Sequence, residues 1–146
     1  MNAGFPPTGS FPGWPYSAPV EREGLRVVEE LIDAWNRRDL SAALERLHPE
    51  CELHPVEAIE PVRGREEFAA GFERWFDAFD SFSVDPEDFL IRGDRMLVPV
   101  MQRARGTGSG VEVEQRFYQL FTLRGGLVVR FEEYADESEA MEAFRS

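Results

Sequence analysis

MLVPVMQRARGTGSGVEVEQRFYQLFTLRGGLVVRFEEY, residues 96–134, is the stretch that decides the fold. It holds three runs rich in β-branched and aromatic residues: Met96 to Arg105, Val111 to Leu123 and Leu127 to Tyr134. Gly106–Gly110 separates the first two, and Gly125–Gly126 the last two. Such runs bounded by glycine-rich turns read as antiparallel strands joined by hairpins. A three-stranded meander therefore closes the chain.

The pattern changes upstream. Leu25, Val28, Leu31, Ile32 and Trp35 fall at helical spacing, which predicts a helix over Val20–Arg37. Asp39 is placed to cap a second helix with Ala43, Leu44 and Leu47 inward, ended by His48-Pro49. Cys51 to His54 reads as a short strand stopped by Pro55. Phe68, Phe72, Trp75, Phe76 and Phe79 stripe a third helix over Arg65–Phe79, and rings at that spacing are core. Phe82 to Ile91 is strand-like, with Pro86 implying a bulge or an edge, and Gly93-Asp94 is a turn. Helices first and a meandering sheet last make an α+β domain. The expected form is a curved, mixed or antiparallel sheet wrapped around three helices, a cone with a pocket at its mouth. The domain occupies 20–146. Residues 1–19, broken by prolines around Phe11, Trp14 and Tyr16, read as an irregular arm.

Strand side chains alternate between faces, so parity decides which of them reach the pocket. The odd set of the last strand is Leu127, Val129, Phe131 and Glu133; that of the strand before is Gln115, Phe117, Gln119, Phe121 and Leu123. Both sets are the more apolar and are expected inside, with Phe121 near Val129 and Gln119 near Phe131. Extension across the glycine-rich turn adds Met101 and Arg103 to the same face. Polar groups among Phe and Val are costly unless paired, so Gln115, Gln119, Glu133 and Arg103 favour a pocket that holds water or ligand. Trp35 is expected at the pocket floor. The even set, Arg116, Tyr118, Leu120, Arg130 and Tyr134, points outward as an aromatic–arginine face with no helix to protect it. Faces of this kind suit a homodimer interface.

Composition narrows the function. The 146 residues carry 16 basic against 28 acidic side chains, a net charge of −12. Such a surface repels phosphate backbones and anionic lipid, which argues against nucleic acid and membranes as partners. Every basic residue is arginine, so Schiff-base chemistry and a lysine-dependent phosphate loop are excluded. The single cysteine, Cys51, excludes an internal disulfide and multi-cysteine metal clusters. His48 and His54 show no metal-ligand spacing, so no metal and no cofactor are expected. The chain starts without the features of a signal peptide, and the expected location is cytoplasmic.

Arg38-Asp39-Leu40, HPECELHP at 48–55, VRGREEF at 62–68, RGDRMLV at 92–98 and the run from Gly106 to Phe144 together resemble a SnoaL-like domain. That family belongs to the NTF2-like, ketosteroid isomerase-like superfamily, and the resemblance covers about residues 22–146. It implies a conical barrel, usually dimeric, with a deep apolar pocket. Members include isomerases, polyketide cyclases, epoxide hydrolases and proteins that only bind ligands. His54 falls where steroid isomerases hold an aspartate base, and Gln119 where they hold an acid facing the enolate oxygen. Leu31 stands where their tyrosine is expected. Epoxide hydrolases need an Asp-Arg-Asp set, for which only Arg103 and Glu133 are present. The polyketide-cyclase pattern, one acid in a shaped apolar pocket, asks least of this chain.

The expectation is a protein that binds a small apolar, carbonyl-bearing molecule. Any catalysis would be cofactor-independent proton transfer of the isomerase or cyclase type, with His54 as base and Gln119 and Glu133 polarising. Trp35, Met101, Arg103, Gln115, Phe117 and Phe131 would line the ligand. The rival expectation is a non-catalytic binding or dimerisation module.

Overall fold

A computed structural model describes residues 19–56 and 60–146, with side chains from residue 22 onward. The proposed arm, with Phe11, Trp14 and Tyr16, lies outside the described residues apart from Pro19, which opens a helix.

Helix α1 (Pro19–Asn36) starts on that proline, whose fixed φ suits a first helical position. Its stripe of Val28, Leu31 and Ile32 is buried as the spacing predicts. The helix closes on Arg38, at φ 58°. Arg38 N–H donates to the Trp35 carbonyl at 3.1 Å and Asp39 N–H to the Ala34 carbonyl at 2.9 Å, the bonds of a Schellman turn. Glycine usually fills that left-handed position. Here the guanidinium holds the arginine by donating to the Phe79 carbonyl at 2.8 Å and lying 4.9 Å from the Phe82 ring centre.

Helix α2 (Leu40–Glu45) is capped by Asp39, whose carboxylate accepts the Ala42 N–H at 3.0 Å. It is shorter than expected. Leu47 and His48-Pro49 belong to strand β1 (Leu47–His54), not to a helix end. The pairing of β1 shifts between Leu47 and Glu52, and this irregularity accommodates Pro49, which has no N–H for a ladder. Strand β2 (Val62–Arg63) leads into α3 (Gly64–Ala78), which buries Phe68 and Phe72. The strand expected over Phe82–Ile91 is two strands, β3 (Phe79–Pro86) and β4 (Leu90–Arg92), divided after Pro86. The meander follows as β5 (Arg95–Gly106), β6 (Glu112–Arg124) and β7 (Leu127–Tyr134).

The strands form one curved, unclosed mixed sheet in the order β2-β1-β7-β6-β5-β3, with β4 also on β5. Only β1 and β7 run parallel. Helices α1, α2 and α3 pack on the inner face, where the main core joins Val28, Ile32, Phe72, Val98, Phe121 and Val128. The three-helix expectation omitted a fourth. Helix α4 (Glu137–Arg145) is capped by Asp136, whose carboxylate accepts the Ser138 N–H at 2.7 Å. It buries Ala140 and Phe144 on Leu97 and Leu120, making a second core on the outer face. The outer face is therefore partly covered, contrary to expectation.

Two register details place the site. Gly125 and Gly126, at φ 59° and 78°, form the tight turn between β6 and β7. A bulge after that turn shifts the pairing between Thr122 and Leu123. With Arg124 paired to Leu127 at the turn and the bulge adding one residue, Phe121 faces Phe131 and Gln119 faces Glu133, two residues beyond the expected pairs. The bulge also turns Val128 inward, fully buried against the core, in place of Val129. Between β5 and β6 the register sets even against odd: Met96 opposite Phe121, Val98 opposite Gln119, Gln102 opposite Gln115. The inner residues of β5 are thus the even ones.

Candidate functional site

Between α1, α3 and the inner sheet lies a cavity of about 260 Å³. Leu31, Ile32 and Trp35 line it from α1, and Phe68, Gly71, Phe72 and Trp75 from α3. Leu47, Leu53, Val84, Phe121 and Phe131 line it from the sheet, with Pro55 and Val62 at the ends of β1 and β2. The remaining lining residues are polar: Glu67, Gln102, Gln119 and Glu133. Helical periodicity brings the α1 and α3 residues to one side. Strand alternation brings Phe121 and Phe131 together at 5.1 Å between ring centres, tilted by 54°.

The rings form a continuous wall. Trp35 meets Phe72 edge-on at 3.9 Å between ring centres and lies 6.2 Å from Trp75. Phe68 lies 4.9 Å from Phe72. The indole nitrogens of Trp35 and Trp75 are sealed within this stack without a hydrogen-bond partner. An unpaired buried donor is costly, so packing area holds these rings in place.

Against this wall stands a single cross-strand polar pair. Gln119 is 8% exposed, the one buried polar side chain among the described residues. Its amide donates to Glu133 Oε2 at 3.4 Å. The donation uses one of the two N–H groups of the Gln119 amide and leaves its second N–H and its carbonyl oxygen at this end of the cavity.

The structure brings together Trp35, Gln119, Phe131 and Glu133 from the sequence-derived set. It separates the others. Phe117 has inner parity and packs on the core beyond the cavity lining, and Gln115 shares that parity but is exposed. Met101 and Arg103 are odd residues of β5, so the register puts them on the outer face. There Arg103 donates to Glu114 at 2.6 Å and Asp85 at 2.8 Å. Gln102 takes the place expected for Arg103. Glu67 and Trp75 complete the lining. Trp75 was legible as a buried ring; Gln102 needed the β5 register, and Glu67 needed the helix docked.

His54 is also displaced from the expected site. Leu53 pairs with Phe131 on the inner face, so its neighbour His54 pairs with Glu132 on the outer one. Its Nε2 lies 2.8 Å from Glu52 Oε1. Arg63 donates to Glu52 at 2.6 Å, Arg130 reaches Glu52 at 3.4 Å and Glu132 at 3.2 Å, and the Tyr134 hydroxyl donates to Glu132 at 2.7 Å. The His54 hydrogen bond, with Arg63 and Arg130 beside it, holds the Glu52 carboxyl below the usual range. Burial, and then the bond to Glu132, pushes the Tyr134 phenol up to about 12. This is a surface ion-pair network, on the opposite side of the sheet from the cavity. No group of three or more His, Cys, Asp or Glu placed to hold a metal ion occurs among the described residues. No helix there is long and apolar enough to cross a membrane.

A mixed sheet curled over helices, with an aromatic cavity between them, defines the NTF2-like cone class. Residues 28–131 match the SnoaL-like domain model, and the chain belongs to the SnoaL-like domain family. No curated protein matches the sequence. Solved structures share the fold. A candidate SnoaL-like polyketide cyclase from Jannaschia sp. CCS1 aligns with a TM-score of 0.74 at 22% identity, over 89% of this chain and 96% of that one. An LEH-like epoxide hydrolase of M. tuberculosis gives a TM-score of 0.71 at 16% identity, over 87% and 92%. A protein with a ketosteroid isomerase-like fold from Catenulispora acidiphila DSM 44928, in complex with trimethylamine, gives 0.69 at 16% identity, over 82% and 92%.

Proposed function

We propose that the protein binds a small apolar molecule in its inner cavity, with Gln119 and Glu133 receiving the ligand's one polar end. The observation that supports this is the cavity: about 260 Å³ lined mostly by aromatic and aliphatic side chains, with Gln102, Gln119 and Glu133 the polar groups on its sheet wall among the described residues. An apolar cavity of about 150 Å³ holds a benzene ring. The space here therefore suits one substituted ring or two fused rings.

If the site runs a reaction, Glu133 is the proton carrier. Among the described residues it is the one titratable group on the cavity's sheet wall, and Glu67 is exposed on α3. Isomerase- or cyclase-type proton transfer needs one such base beside an enclosed substrate, with Gln119 orienting the carboxylate. The pairing of His54 with Glu132 on the outer face favours Glu133 over the imidazole in that role. Binding without turnover is the second reading, favoured by one N–H of the Gln119 amide being taken up by Glu133 instead of a developing oxyanion. A homodimer through the part of the outer face that α4 leaves open, around Met101 and Arg116, belongs to the same proposal, as does a cytoplasmic location. Sedimentation equilibrium tests the dimer.

The cavity itself is tested by filling it. Gly71 lines the space, and a Cβ there would meet only the Arg74 side chain at 3.7 Å. Titration with 2-phenylethanol, followed by tryptophan fluorescence, should saturate for the natural protein and fail for Gly71→Leu at unchanged thermal stability. Equal binding by both proteins would overturn the proposal.

A further inference from the structure

We infer that the cavity selects a neutral ligand presenting an N–H and a carbonyl on one edge, a lactam or carboxamide, over ketones and ions of the same shape. This rests on the reading of the cavity as a ligand site.

The first ground is the amide of Gln119. Its side chain is buried and lines the cavity. A carboxylate only accepts hydrogen bonds, so the bond to Glu133 at 3.4 Å puts the amide nitrogen on that side. The N–H that points away from the amide oxygen serves this bond best, because the other would bring that oxygen against the carboxylate. What is left for a ligand is one edge, an N–H beside a carbonyl oxygen. Each is costly to bury without a partner. A ketone meets the N–H and leaves the Gln119 oxygen unpaired. A lactam meets both, since its own N–H and carbonyl stand side by side as those of the glutamine do. Gln102 adds a second neutral amide to the same sheet wall.

The second ground is charge. Among the described residues that line the cavity there is no arginine or histidine, and the whole chain carries a net charge of −12. A carboxylate ligand would enter against this field and find no counter-ion inside. The acidic groups do not make the cavity a cation site. Glu133 is held by Gln119 and by a further interaction, and Glu67 is exposed on α3. An ammonium loses its hydration on entry, and only a partner free to pair with it returns that loss.

The third ground is shape. Trp35, Phe72, Phe121 and Phe131 bring flat rings to a space of about 260 Å³, the size for two fused rings. A benzo-fused lactam fills such a space with its apolar body against the rings and its one polar edge toward Gln119 on β6.

The experiment is calorimetric titration at neutral pH with four probes on one bicyclic frame: oxindole, 2-indanone, 2-aminoindane and indane-2-carboxylate. Oxindole and 2-indanone differ only by N–H in place of CH₂. Oxindole should bind about ten-fold tighter than 2-indanone, the scale of one buried acceptor left unpaired, and both ions should bind more weakly than oxindole. In Gln119→Met the oxindole preference over 2-indanone should fall to within about three-fold, with 2-indanone still bound. Retained 2-indanone binding shows that the variant is folded, and the ranking on the natural protein decides the inference without it. 2-Indanone binding as tight as oxindole, either ion binding tighter than oxindole, or an unchanged oxindole preference in Gln119→Met would overturn the inference and leave the cavity proposal intact. Binding of none of the four would overturn both.

Discussion

On the inner face of the sheet, Gln119 and Glu133 are one polar pair against a wall of rings. On the outer face, Glu52, His54, Arg63, Arg130, Glu132 and Tyr134 bind one another at the surface. Both groups contain side chains of the types that do acid–base chemistry. What separates them is their surroundings, rings and a buried amide beside Glu133 and charged partners beside His54. A polar group walled off from water interacts strongly with whatever shares its space. An exposed ion pair in high dielectric, screened by salt, is worth little. Residue type alone therefore ranks His54 first, and the face it occupies removes it.

Each prediction breaks or sharpens that contrast. The largest effects come from the two cores. Phe72→Ala should cost about 3–5 kcal/mol in chemical denaturation, because it empties the centre of the ring wall, and should abolish 2-phenylethanol binding. Phe144→Ala on α4 should destabilise by a similar amount through the outer core, yet leave ligand affinity unchanged wherever the protein is folded. Loss of binding in the second variant would mean that the two faces are not separate.

A smaller effect is expected at Gly71. Gly71→Ala should raise stability by about 0.5–1 kcal/mol, since it removes backbone freedom from a helix interior where the methyl group has room.

A pH titration probes the outer network. Folding raises the Tyr134 pKa, so its neutral phenol contributes fully below the unfolded value near about 10. The contribution is lost as pH climbs through the folded value of about 12. Between those limits Tyr134→Phe should show a shallower fall in Tm than the natural protein, and ultraviolet titration should lose its last phenolate step. The smallest effect belongs to the exposed ion pairs. Arg103→Ala should change stability by less than about 1 kcal/mol, less still in high salt, with no change in ligand affinity.

Much of this architecture was legible in the sequence. The meander, the helical stripes of α1 and α3 and the inward parity of Gln119, Phe131 and Glu133 follow from periodicity alone. Parity across the long turn at Gly106–Gly110 did not. One residue of register there exchanges Arg103 for Gln102, and turn composition does not fix register in a loop of that length. The bulge near Val129 leaves no mark in composition either, although it makes odd face odd between β6 and β7. His54 was open to a better reading. Cys51 and Leu53 alternate with Glu52 and His54, so the apolar pair goes inward and the imidazole outward. Helix α4 also had its signal in Asp136 followed by Ala140, Met141 and Phe144.

The central claim is that ligand enters the inner face and leaves the outer face untouched. The most direct test is two-dimensional amide and indole NMR during titration with 2-phenylethanol. The Trp35 and Trp75 indole signals and the Gln119 side-chain amide should shift with one common affinity, while signals from His54 and Arg103 stay fixed. Shifts concentrated at His54, Arg103 and Tyr134, with the two indoles unmoved, would contradict it.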